Sequence, residues 1–207
     1  MLNNPVARKV VSGAVDPVAR GLLKIGVTPD AVTVAGTVGV IVVAVVTLPQ
    51  GWFIPGVLLL FVLALSDLLD GTMARMAGSS GPWGNFLDAT LDRLSDGAIF
   101  GSLAMYGALH DQPWVTAGAT LALVTGQVTS YSKARAEAVG ATANVGIAER
   151  AERLIIAAIA ALLAGFGVPY VLAAAMWLLG LLGLITIAQR IVTVRRQLRP
   201  KGSPSDE

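Results

Sequence analysis

The sequence predicts an all-α integral membrane protein, with six transmembrane helices preceded by an amphipathic helix lying in the membrane interface. Three observations lead there. Of its 207 residues, 55% are hydrophobic and only 14% are charged, with a mean hydropathy of +0.71; a soluble domain carries about 25% charged residues. The apolar residues gather into six stretches of bilayer length or close to it. Lysine and arginine collect at alternate breaks between those stretches.

Residues 1–27 form the first region. Val6, Val10, Val11, Ala14, Val15, Val18 and Leu22 recur at helical spacing, and Arg8, Ser12, Asp16, Arg20 and Lys24 form a polar row at i, i+4. Such a helix buries one face in the headgroup layer and turns its basic residues toward anionic lipid. The region lacks the unbroken apolar core of a secretory signal. Six spans follow at 31–48, 52–73, 83–109, 114–136, 150–166 and 169–194. The breaks carry turn chemistry or polar residues, as at Pro49-Gln50-Gly51. Trp52, Trp83 and Trp114 stand at span ends, where amphipathic rings meet headgroups. The fifth span is short and relies on Arg150 and Arg153 reaching into the headgroups.

Basic residues set the orientation. They sit in the N-terminal segment, at Arg75, at Lys133, Arg135, Arg150 and Arg153 around the fourth loop, and at Arg195, Arg196, Arg199 and Lys201. The first, third and fifth loops have none. Both termini and the charged loops are therefore expected in the cytoplasm of a multi-pass plasma-membrane protein. The expected organisation is an interfacial helix at 1–27, a six-helix membrane domain at 28–198 and a polar cytoplasmic tail at 199–207. No cysteine is present, which excludes thiol chemistry, and the lone His110 cannot build a histidine-rich metal site. Membrane lipids are the expected surroundings, and nothing points to nucleic acid.

Charged side chains within membrane spans are costly and mark function. Asp67 and Asp70 end the second span, while Asp88, Asp92 and Asp96 lie in the third. Spacings of three and four put each set on one helix face. The second span runs inward and the third starts from the inside, so the two aspartate pairs reach the same cytoplasmic depth facing each other. Four carboxylates that close require cations between them. Oxygen donors suit magnesium, manganese or calcium, and magnesium leaves positions open for substrate phosphates. Gly71, Ala74 and Gly84 leave room against the backbone, and Arg75 can meet a phosphate. The competing reading from these residues is an ion-coupled transporter whose aspartates carry protons or sodium.

Asp67-x-x-Asp70-Gly71-x-x-Ala74-Arg75, eight residues, then Gly84-x-x-x-Asp88-x-x-x-Asp92 resembles the signature of the CDP-alcohol phosphatidyltransferases, with every fixed position filled. Gly26-Val27-Thr28-Pro29-Asp30-Ala31-Val32-Thr33 is similar to that family's segment before the first span, although asparagine more often follows the proline there. The likeness covers nearly the whole chain. It implies two divalent ions, Mg2+ or Mn2+, held by Asp67, Asp70 and Asp88, with Asp92 as general base and a possible further ligand. It also implies a CDP-lipid site formed by Pro29, Asp30, Ala31, Val32, Thr33, Asp70, Gly71, Ala74, Arg75, Ser80, Gly81 and Gly84. The family often has a hydroxyl residue where this chain has Gly81, and Ser79 and Ser80 precede it. Asp96 lies outside the signature and is expected to act structurally. Members of the family imply a homodimer.

The acceptor alcohol is read from the basic residues at the cytoplasmic ends of the last three spans. Lys133 and Arg135 lie in an apolar span end, and Glu149-Arg150-Ala151-Glu152-Arg153 alternates acids and bases. Such a cluster suits an acceptor that already carries a phosphate. Ser130-Tyr131-Ser132-Lys133-Ala134-Arg135-Ala136-Glu137 and Gly146-Ile147-Ala148-Glu149-Arg150-Ala151-Glu152-Arg153 resemble the actinobacterial phosphatidylinositol phosphate synthases. That resemblance implies CDP-diacylglycerol and inositol 3-phosphate as substrates, with Ser132, Lys133, Arg135, Arg153 and Arg195 on the acceptor phosphate. A phosphatidylglycerophosphate synthase, with glycerol 3-phosphate as acceptor, is the alternative within the family.

Overall fold

The computed structural model describes residues 5–79, 81–147 and 149–199, with side chains described from residue 15 onward except those of Ser66 and Asp67. Among the described residues the regular structure is entirely α-helical: α1 (Pro5–Lys24), α2 (Pro29–Thr47), α3 (Phe53–Ala64), α4 (Ser66–Ala77), α5 (Pro82–Leu109), α6 (Pro113–Ala138), α7 (Arg150–Gly165) and α8 (Val171–Gln197). Of the expected tail at 199–207, residues 200–207 lie outside the described residues.

Local chemistry sets the boundaries that matter for the site. Thr28 caps α2, its hydroxyl accepting from the Ala31 N–H at 3.2 Å, and Pro29 takes the first helical position, where a missing N–H costs nothing. α4 ends at Gly78 in the left-handed region (φ 65°), with Ser79 N–H bonding Ala74 O at 3.0 Å and Gly78 N–H bonding Arg75 O at 3.4 Å. These two bonds form a Schellman stop, and its positive φ favours glycine. The sequence reading expects one continuous second span, but the helix is interrupted at Leu65. There Leu65 N–H bonds Val62 O and Leu68 N–H bonds Leu65 O, both at 3.2 Å. Such i→i−3 bonds tighten the turn immediately before Ser66 and Asp67.

Three helical stretches are long and apolar enough to cross a bilayer: Pro29–Thr47, Phe53–Ala77 and Val171–Gln197. The other three expected spans are helical over the expected ranges but differ in character. α5 carries Asp88, Asp92, Arg93 and Asp96, α6 carries Thr116, Thr120, Thr125 and Thr129 along its span, and α7 has 16 residues where a bilayer core takes about 20.

The chain divides into two compact units, Met1–Leu48 with Pro55–Ile99, and Pro49–Ile54 with Phe100–Glu207. In the first, α1 and α2 pack on α4. Ala19, Ala44 and Met73 are fully buried, whereas Val18 and Ile25 are exposed. Gly39 lets α2 approach α3, since a Cβ there would come within 3.0 Å of Leu63.

In the second unit, α8 packs against both α6 and α7. The α6–α8 contact depends on small residues. A Cβ on Gly118 would meet Trp177 at 2.9 Å, one on Gly180 would meet Leu121 at 2.7 Å, and one on Gly183 would overlap the Thr125 hydroxyl. Where surrounding lipid is as apolar as leucine, close backbone approach of this kind is what holds helices together. The loop between α6 and α7 is fastened to α8. Gln197 exchanges two bonds with the Thr142 backbone, at 2.9 and 2.8 Å, and Thr186 accepts from the Ile147 N–H at 3.3 Å.

Gly180→Ala and Gly183→Ala should each destabilise the protein by about 1–3 kcal/mol through overpacking. Gly101→Ala, whose Cβ would meet open space, should be neutral or slightly stabilising. Thermal unfolding in detergent compares the three.

Candidate active site

In the first unit, the signature residues divide among α2, α4 and α5. Asp70 is half-buried on α4. Its carboxylate accepts hydrogen bonds from the Thr33 hydroxyl and the Gly71 N–H and lies within electrostatic reach of Asp88. The Thr33 hydroxyl is also 3.1 Å from Pro29 O, so its single proton is shared between those two acceptors. Asp88 projects from an exposed position on α5, and Asp92 follows one turn later. The backbone of Asp67 lies in α4, one turn from Asp70, but its side chain is outside the described residues, as is all of Ser80.

Among the described residues no three acidic or histidine side chains converge closely enough to hold a metal ion. Asp70 and Asp88 interact electrostatically. Two carboxylates of like charge in mutual reach, each a hard oxygen donor, suit a magnesium- or manganese-type cation. A Cβ on Gly81 or Gly84 would meet open space, and one on Gly71 would meet only Arg75, at 3.7 Å. The Arg75 guanidinium is exposed and folds back along α4 to donate to Thr72 Oγ1 at 2.9 Å. Asp30, in the first turn of α2, accepts from the Trp83 indole N–H at 2.8 Å, which joins the start of α2 to the start of α5.

Arg93 was not singled out from the sequence. Its guanidinium lies 3.8 Å from Asp92 and 3.7 Å from Asp96. Asp96 is only 3% exposed. Its carboxylate is thus held within α5 by an ion pair. The available signal was an arginine within an otherwise apolar span, one residue after one aspartate and three before the next.

In the second unit, the expected acceptor residues fall into two groups. Ser132 is partly buried and donates to Thr129 O at 2.8 Å. Arg153 is 4% exposed and lies directly over Gly126 of α6, in the space a side chain at 126 would fill. Lys133, Arg135 and Arg195 are exposed, and among the described residues they make no hydrogen bond or ion pair. The structure adds Arg190, which the sequence reading passed over. This arginine is buried within α8 and donates from Nε to Val145 O at 3.0 Å and from Nη1 to Thr129 O. Ser132 and Arg190 therefore share the Thr129 carbonyl. An arginine inside the sixth span was itself the signal.

The chain belongs to the CDP-alcohol phosphatidyltransferase family, whose model matches residues 26–194. It is 45% identical to the phosphatidylinositol phosphate synthase of Streptomyces avermitilis, over 94% of this chain and 83% of that protein. It is also similar to crystal structures of the Mycobacterium tuberculosis phosphatidylinositol phosphate synthase. The structure with CDP-DAG bound matches with a TM-score of 0.83 at 44% identity, over 87% of this chain and 93% of that one. The structure in complex with manganese and citrate matches with a TM-score of 0.82 at 44% identity, over 86% and 88%. The three apolar helices and the family together make this a membrane protein.

Asp96→Ala should lower stability by about 1–3 kcal/mol, because it leaves the half-buried Arg93 short of a charge partner. Thermal unfolding should register that loss more strongly than catalytic turnover does.

Proposed function

We propose that the protein transfers the phosphatidyl group of CDP-diacylglycerol to inositol 3-phosphate, forming phosphatidylinositol phosphate and releasing CMP. The observation that carries this reading is the complete family signature, with Asp70 and Asp88 in electrostatic interaction and open space beside Gly81 and Gly84. The 45% identity to a phosphatidylinositol phosphate synthase favours inositol phosphate over glycerol 3-phosphate as acceptor. It also favours an enzyme over an ion-coupled transporter.

In this reading Asp67, Asp70 and Asp88, with Asp92 at the edge, would hold two divalent cations, which would supply charge neutralisation and alignment for the diphosphate. Pro29 to Thr33 form one wall of the nucleotide site. Gly71, Ala74 and the stretch Ser80, Gly81 and Gly84 let the CDP group approach the backbone, and Arg75 swings from Thr72 to a phosphate oxygen. Asp92 takes the proton from the acceptor hydroxyl. The hydroxyl oxygen forms a bond to the lipid-side phosphorus, the bond to the bridging diphosphate oxygen breaks, and CMP departs with that oxygen. Ser132, Lys133, Arg135, Arg153 and Arg195 bind the acceptor phosphate. Arg190 belongs with them as the buried arginine that fixes the Thr129 carbonyl beneath Ser132.

The same reading takes α2, α3 with α4, α5, α6, α7 and α8 as six spans, with α1 in the cytoplasmic interface of the plasma membrane. It places both termini and the site on the cytoplasmic side and takes the active form as a homodimer.

Radiolabelled CDP-diacylglycerol tests the proposal. The purified protein in mixed micelles should release CMP only with inositol 3-phosphate and Mg2+ or Mn2+ present, and excess EDTA should stop it. Asp92→Asn should lower turnover by about 100-fold or more, the scale of a lost general base. Release with glycerol 3-phosphate but not inositol phosphate would overturn the acceptor assignment. No release with either alcohol would overturn the enzyme assignment.

A further inference from the structure

Trp83 is absent from the family signature, yet it closes a ring of contacts around the proposed donor site. Its indole N–H donates to Asp30 Oδ2 at 2.8 Å, across 53 residues of sequence. Asp30 lies in the first turn of α2, and Thr33, one turn on, donates to Asp70 of α4. Asp70 faces Asp88 electrostatically. Asp88 lies five residues beyond Trp83 on α5, which completes the ring.

The ring fixes the position of one helix end. α5 begins at Pro82, only four residues after the glycine that stops α4, and Gly81 and Gly84 on either side of that start impose no side-chain packing. The Asp30–Trp83 bond is the hydrogen bond that ties the first turn of α5 to α2. Trp83 is also braced by Phe86, with ring centroids 6.0 Å apart.

We propose that Trp83 is a positioning residue for the CDP-lipid site: its indole N–H clamps the start of α5 to Asp30 and so sets the gap between α2, α4 and α5 into which the CDP group fits. The inference rests on the donor site assigned above. It adds to that site a residue that acts through another side chain and touches neither metal nor acceptor. Asp30 keeps its Oδ1 for the ligand while Oδ2 is held by the indole.

A double-mutant cycle on the full-length protein tests it, using CMP release from CDP-diacylglycerol. Trp83→Phe keeps an aromatic ring beside Phe86 and removes the N–H, so the protein should still fold; detergent gel filtration and thermal unfolding check this. It should raise KM for CDP-diacylglycerol about three- to tenfold, the scale of one lost hydrogen bond. KM for inositol 3-phosphate and kcat should stay within about twofold, a split that general loosening of the fold would not produce. In an Asp30→Ala background, Trp83→Phe should have no further effect, because its partner is already gone. An unchanged KM for CDP-diacylglycerol, an equal rise in both KM values, or the same rise in the Asp30→Ala background would each overturn the clamp while leaving the functional reading intact. A wild-type chain that releases no CMP would overturn that reading, and the clamp with it.

Discussion

Asp70 and Asp88 are two negative charges held within reach of each other on helices from an otherwise apolar chain. Much of the first unit is explicable as support for that juxtaposition. α4 is packed on both sides, by α1 and by α2, with Met73 fully buried three residues beyond Asp70. The Thr33 hydroxyl and the Gly71 N–H point hydrogen-bond donors at the Asp70 carboxylate. On α5, Arg93 holds Asp92 and the buried Asp96 in one ion-paired group, which keeps a third and fourth negative charge from adding unchecked repulsion.

The second unit meets a different demand. Its interior must accept two nearly buried arginines, Arg153 and Arg190. It does so with absent side chains and backbone oxygens: Gly126 leaves the space that Arg153 fills, and the carbonyls of Thr129 and Val145 receive Arg190. Glycines at 118, 180 and 183 bring α6 and α8 close enough for such reach. The same face of α8 fastens the α6–α7 loop through Thr186 and Gln197. Packing and basic chemistry thus come from one helix surface, which explains a span that is apolar in composition yet carries an arginine in its buried row.

The fold was largely legible because burial in lipid imposes length and composition on helices, and both can be counted along a chain. The helix start at Pro29, the stop at Gly78 and the breaks near Pro49, Pro82 and Pro113 follow from local turn and cap chemistry. The interruption at Leu65 was not legible, since Leu65 sits in an unbroken apolar run and only the backbone bonds reveal it. The aspartates were legible because an acid in a span stands out against its neighbours. Arg190 and Trp83 were not singled out for the site, because their partners are distant in sequence or lie in the backbone; Arg93 was passed over although its partners are its near neighbours on α5.

By itself the sequence determined the chemical class of this protein: the amount of apolar surface, the order of helices, and a spacing of aspartates and glycines that resembles one family's signature. These are properties of composition and of helical periodicity, and they survive without coordinates. Tertiary structure decided which charges meet. Asp70 and Asp88 interact electrostatically, Arg93 answers Asp92 and Asp96, Arg153 fills the space at Gly126, and Trp83 reaches back to Asp30. Such pairings depend on how helices turn and approach each other, and packing between helices sets those quantities where no local residue pattern does.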